Sequence, residues 1–360
     1  MAGRQLGVLM QPCGRRDESR RNGHNRQQSR LRAVPRDLTY RLKGAAMPAL
    51  ITHHLFGEES IDRLPSGIVT TPEERTAFLL ANQGPDPFFF RVRTPNLSSC
   101  MQLAHRMHSA YVTRQFDALR EGVTHLREHD ASLGRAFVLG LLSHYTLDRN
   151  VHPFVYAQQW GIQAEDPSLA DAGSEVHAVI ESDLDVLMLQ LKRNGATVED
   201  YPPVSELVTT DRIDKVAGAL MSYMAKTVYG LEVGANEYGG AVADMQLLYR
   251  VIEPAGSLSI CAIARIEELL KPYSLLQSLA HRVTTEQPSA AGNMGHGPWI
   301  NPFDGATSHT SFPDLFDRAL DDYQQTAVHF IETRNMEEVT GRMDYSGCVL
   351  EPGEEAADRK

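Results

Sequence analysis

The chain has 360 residues and a net charge of −11, with 42% hydrophobic residues and twelve each of Tyr and Phe. That apolar content suffices for a core and excludes wholesale disorder. The charge is uneven: residues 1–46 carry eleven Lys/Arg and three Asp/Glu, and the rest carry 24 basic and 43 acidic side chains. So acidic a body excludes a duplex-DNA binder, which needs a basic face to displace counterions from phosphates.

Residues 1–46 read as an extension outside the fold. A disordered basic tail, an Arg/Ser-rich transit-like segment and translated upstream sequence compete as explanations. The last is favoured, because patterned sequence begins abruptly at Met47-Pro48-Ala49-Leu50. Residues 1–46 hold no run of the roughly 7–15 apolar residues of a signal-peptide core, and no stretch of the sequence reaches the roughly 18–20 of a membrane span. Four scattered cysteines (Cys13, Cys100, Cys261, Cys348) suit a reducing compartment, so a cytoplasmic location is expected.

From residue 47 the pattern predicts one all-α domain over 47–345, followed by an acidic tail over 346–360. Thr71-Pro72-Glu73-Glu74 is a helix start, with a cap, Pro and acids in the first turn, and predicts a helix over 71–82. Apolar residues at 3–4 spacing predict one long helix over 98–121. The segment 130–151 is apolar almost all round over 136–142, which makes it the central helix. Pro153 is expected to end it just after His152. Further helices are predicted over 171–193, 210–231, 238–251, 257–270 and 312–335, with a Gly/Pro-rich loop over 292–305.

The fourteen histidines matter through their spacing. Residues four apart on a helix project from one face, so both can reach one metal ion. His144, Asp148 and His152 follow one another at steps of four on the most apolar helix. Burying three such groups without partners costs several kcal/mol, and a divalent cation satisfies all of them. A hydrogen-bonded core network or a solvated helix end is the competing reading. His177 and Glu181 form a second pair at four, a spacing that many surface helices also show. His108 has His105 three residues before it, and either can be a polar-face residue. His125 and His129 are also four apart, but their charged surroundings read as a solvated turn. His53 with His54, and Asp86 between two prolines before Phe88, complete the set; Asp86 reads equally as a turn or cap residue.

The order His53, Asp86, His108, His144-x3-Asp148, His152, His177-x3-Glu181 resembles that of the zinc-dependent phospholipase C family, whose helical fold and trinuclear site the fungal zinc nucleases share. The segment Pro298-Trp299-Ile300-Asn301-Pro302 and residues 312–320 are similar to the C-terminal part of intracellular bacterial members. The resemblance implies two or three zinc ions. Asp86, His108, His144 and Asp148 would form one site, with Asp148 bridging to a neighbour. His152, His177 and Glu181 would form a second, more accessible site, and His53 with Asp148 would contribute to a third. Asp86 would also act as the catalytic base or orienting group toward water. His54 stands where the family has Tyr and stays outside this set. The four-residue step from Asp148 to His152 is shorter than in secreted members, and the N-terminal Trp ligand of those members has no counterpart here. A start at Met47 with Met removed would make Pro48 the N-terminus, five residues before His53.

The implied reaction is hydrolysis of a phosphodiester by metal-activated water, on a phospholipid headgroup or another small phosphoester. Phe88, Phe89, Phe90, Tyr145, Phe154 and Tyr156 are candidates for a headgroup cage or for ordinary core. A nuclease or phosphatase of the same fold, and a non-catalytic helical protein stabilised by zinc, are the alternatives. A di-iron bundle would need Glu-x-x-His pairs, and the candidate ligands contain none.

Overall fold

The computed structural model describes residues 49–350, apart from 268–272 and 334. The extension over 1–46, the possible N-terminus at Pro48 and the last ten residues lie outside the described residues.

The all-α expectation holds. Helices α1 (Leu50–Ile61) and α2 (Pro72–Ala81) come first, followed by a 3₁₀ turn at Asp86–Phe90. Next come α3 (Leu97–Ser109), α4 (Val112–Thr124), α5 (Glu128–Glu165), α6 (Gly173–Lys192), α7 (Asp211–Tyr229) and α8 (Glu237–Ile252). Then follow α9 (Leu258–Glu267), α10 (Leu275–Ser278), α11 (Phe312–Glu332) and α12 (Met336–Thr340). A two-residue antiparallel pair, β1 (Trp299–Ile300) with β2 (Thr307–Ser308), lies in the Gly/Pro-rich segment. Among the described residues no helix is long and apolar enough to cross a membrane.

Helix α5 is the axis of the molecule: α1, α2, α4, α6, α7 and α11 all pack against it. Its residues 136–149 are buried without interruption, as a helix enclosed on every side must be. Helix α2 starts as its sequence dictates. Thr71 Oγ1 accepts from the Glu74 amide at 3.2 Å, and Glu74 Oε2 accepts from the Thr71 amide at 3.0 Å, a reciprocal capping box.

Three boundaries differ from the sequence expectation. Helix α5 does not stop near Pro153 but runs 38 residues, with Pro153 in its interior. Proline costs the hydrogen bond to the residue 149 carbonyl. Here Gly347, at φ +80°, packs against that carbonyl: a Cβ built on it would lie 2.5 Å from Arg149 O and 2.8 Å from Pro153 Cγ. The chain beyond residue 345 thus packs on the helix at the proline.

The single helix expected over 98–121 is two, separated by extended Ala110 and left-handed Tyr111 (φ 57°). Side chains from elsewhere cap the freed carbonyls. Gln115 Nε2 donates to Met107 O at 2.7 Å and to Ala110 O at 3.1 Å, and the Tyr229 hydroxyl donates to Ala110 O at 2.8 Å. Residues 346–350, assigned from sequence to an acidic tail, form a packed turn. Asp344 Oδ1 accepts from the amides of Ser346 and Cys348 at 2.9 and 3.0 Å, and Leu350 is buried.

Candidate metal centre

The periodicity of α5 sets the centre. His144, Asp148 and His152 lie on successive turns of one face, and the helix continues straight through them, so the short step from Asp148 to His152 needs no distorted helix end. His177 and Glu181 come from α6, His108 from the end of α3, His53 from α1 and Asp86 from the 3₁₀ turn. All eight side chains are buried.

Asp148 is the hub. Its Oδ1 lies 3.2 Å from His53 Nε2 and 3.7 Å from His152 Nε2, and its Oδ2 lies 3.2 Å from His144 Nε2 and 4.0 Å from His108 Nε2. Asp86 Oδ1 lies 3.1 Å from His108 Nε2, and Asp86 Oδ2 lies 4.0 Å from His144 Nε2. Glu181 Oε1 lies 3.2 Å from His177 Nε2 and 3.5 Å from His152 Nε2. Three groups result, each with ligand atoms within 4.8 Å of one another: His53, His144 and Asp148; Asp86, His108 and His144; His152, His177 and Glu181. His144 thus belongs to two groups. The third group is no more open than the others, contrary to expectation: Glu181 is 5% exposed and His108 is 9%.

Backbone and side-chain acceptors behind the rings set their orientation. His108 Nδ1 is 2.8 Å from Ala104 O, His144 Nδ1 is 2.9 Å from Asn82 O, and His152 Nδ1 is 2.8 Å from Tyr345 O. His177 Nδ1 is 2.9 Å from Gln159 Oε1. Each acceptor holds the proton on Nδ1 and leaves the Nε2 lone pair facing inward, the outer-shell pattern of metal-binding histidines.

The inward atoms fit a cation. His108, His144 and His177 Nε2, Asp86 Oδ1 and Glu181 Oε2 are all buried without a hydrogen bond, although carboxylates and rings stand within about 4 Å of one another. Converging donors that do not bond each other are what a shared ion satisfies. The donor set of five imidazoles and three carboxylates, with no thiolate, suits a divalent cation such as zinc.

Protons can also balance this charge. Burial pushes the Asp148 carboxyl up, but His152, His144 and His53 outweigh it and hold it well below the usual range. Burial likewise raises Glu181, yet His177 and His152 leave it lowered. Burial lowers the His152 imidazole, but Asp148 and Glu181 lift it to about 10. His144 is raised against burial by Asp148 and Asp86.

The other sequence candidates fall elsewhere. His54 Nε2 pairs with Glu206 Oε2 at 2.6 Å, outside the centre. His125 and His129 are exposed. Tyr145 donates to the carbonyls of Thr340 and Met343, and Phe154 packs on Trp299 and Phe312. Of the aromatic candidates, Phe89 (5.6 Å from the His108 ring) and Tyr156 (5.2 Å from the His177 ring) lie against the centre. Half-buried Trp160 and Phe303 extend the Tyr156 side and were not singled out from sequence. Nor was Gln159, although it stands seven residues after His152, on the same helix face.

A family model described as zinc dependent phospholipase C matches residues 52–231, half of the chain. The chain belongs to the zinc-dependent phospholipase C family. The matched span contains every residue of the three groups. No curated protein and no solved structure matches the chain. Membership brings a zinc-dependent, phospholipase-type domain, and the His/Asp/Glu groups are its candidate metal ligands.

Proposed function

We propose that this zinc-dependent phospholipase C family protein hydrolyses phosphodiesters at a centre of two or three zinc ions held by His53, Asp86, His108, His144, Asp148, His152, His177 and Glu181. The observation that carries the reading is that His144 is shared by two of the buried, converging ligand groups while the carboxylate of Asp148 stands within 4.0 Å of histidines from all three. Zinc held there supplies Lewis acidity, which acidifies water and offsets charge on phosphoryl oxygens. Asp148 holds neighbouring ligands in register, since its two oxygens face different histidines. Asp86 is the candidate base: its carboxylate lies 3.1 Å from His108 Nε2, its Oδ1 has no hydrogen-bond partner, and it can orient a water and take its proton. The products are a phosphomonoester and an alcohol, and the substrate is a phospholipid headgroup or another small phosphoester.

A related nuclease activity is favoured by one observation. Trp160 and Phe303 stand with Tyr156 beside His177, and half-buried aromatic faces next to a phosphoester site can stack a base.

The deciding experiment combines metal analysis with turnover of a phosphocholine diester, a phosphomonoester and single-stranded nucleic acid. Zinc binding with diester turnover is expected, and His144→Ala and Asp148→Asn should lose both. His125→Ala should match the parent. Full zinc occupancy with no turnover on any substrate overturns the catalytic reading and leaves zinc a structural role.

A further inference from the structure

Four of the five candidate histidines have a hydrogen-bond partner behind the ring; His53 has none. Its Nδ1 is buried and unpartnered. Its ring stacks on His144, with centroids 4.1 Å apart and planes at 23°. Stacking restrains the ring plane but leaves the imidazole free to slide, so the reach of Nε2 toward Asp148 depends on where the backbone of α1 is held.

That backbone is held from α6. The first amides of a helix have no partner within it, and Ala49, at the N-cap, has no side chain to serve them. Asp185 serves them instead: Oδ2 accepts from the Ile51 amide at 2.9 Å and Oδ1 from the Thr52 amide at 2.7 Å, the two residues before His53. Asp185 is in turn gripped by His281, whose Nε2 lies 3.0 Å from Asp185 Oδ2. The Nδ1 of His281 lies 2.5 Å from Glu253 Oε1, and its backbone amide donates to the same oxygen at 3.2 Å. An imidazole between two carboxylates donates from both nitrogens. Asp185 and His281 are both buried, so each carboxylate oxygen has a defined partner rather than water.

We infer that Asp185, braced by His281 and Glu253, is a positioning residue for His53, fixing the first turn of α1 where a partner behind the His53 ring would otherwise be needed. This rests on the metal-centre reading above. Asp185 touches none of the converging ligand atoms; it acts through two backbone amides. A helix cap that only stabilised the fold would weaken every metal site together. Positioning weakens the His53, His144 and Asp148 group alone.

The test measures zinc per chain, and the affinity of each equivalent, by titration of the full-length protein in a zinc-buffered solution. His53→Ala and Asp185→Asn should each lose one equivalent, with the remaining zinc bound at parental affinity. If Asp185→Asn fails to fold, His281→Gln keeps the carboxylate and removes its brace. That variant should weaken the same equivalent about 10- to 100-fold, the usual size for an outer-shell partner, and leave the others unchanged. Parental affinity in all equivalents of the folded variant overturns the inference and leaves the metal reading standing. So does a uniform loss across equivalents, or a His53→Ala protein with the full complement. A parent chain that takes up no zinc overturns both.

Discussion

Gly84 lies flat against the ring of His144: a Cβ built on it would come 2.4 Å from Nε2 and 2.3 Å from Cδ2. The glycine also sits at φ +56°, in the left-handed region, within the turn that carries the chain from α2 to Asp86. Two demands meet at this position, a backbone conformation disfavoured for L side chains and a close approach to a candidate ligand. Gly84→Ala should therefore destabilise the fold by about 2–4 kcal/mol, the sum of strain and overpacking. Zinc content should fall with it. Chemical unfolding and metal analysis on one preparation check both effects; a parental value for either would mean the turn yields without moving His144.

Gln159 should matter to zinc without touching it. Its Oε1 is the acceptor that sets the His177 ring, so Gln159→Ala is expected to weaken zinc binding roughly 10- to 100-fold. Competition against a fluorescent chelator reads this directly. Gln159→Glu keeps an acceptor and should retain most of the affinity.

Metal removal should destabilise the protein steeply, because it returns five buried, unbonded polar atoms to an unsatisfied state. Ligand linkage gives about 4 kcal/mol when free zinc exceeds the dissociation constant a thousandfold. The melting temperature should fall by several degrees in excess chelator and recover on adding zinc. An unchanged melting temperature would argue against a metal at these sites.

The brace behind α1 predicts a pH dependence. Burial lowers the His281 imidazole, but Glu253 and Asp185 raise it to about 10, from an ordinary 6.5. A raised folded pKa contributes stability that is complete below pH 6.5 and lost as pH climbs through 10. The parent should therefore lose stability across that window more steeply than His281→Gln. The excess slope approaches one proton, about 1.4 kcal/mol per pH unit. Urea unfolding at several pH values, with chelator present to remove the metal contribution, makes the comparison; parallel slopes would show that His281 is neutral when folded.

The amino-acid sequence by itself determined most of the helices and which side chains are candidate ligands. Apolar periodicity and capping residues such as Thr71 and Glu74 act over a few residues, so α2, α6, α7 and α8 were legible within about two residues at each end. Steps of four on α5 and α6 put His144 with Asp148 and His177 with Glu181 on common faces for the same local reason. Tertiary structure decided what depends on distant partners. Pro153 stays inside α5 where Gly347 packs against the released carbonyl, and α3 ends at Ala110 where Tyr229 caps the last carbonyl. It also decided that Asp148, beside His144 and His152 of its own helix, faces His53 from α1 and His108 from α3. The step of four continues past Glu181 to Asp185, but only the meeting of α6 with α1 gives that carboxylate two backbone amides to hold. Spacing along one helix fixes which face a side chain takes; what it meets there is set by other elements of the fold.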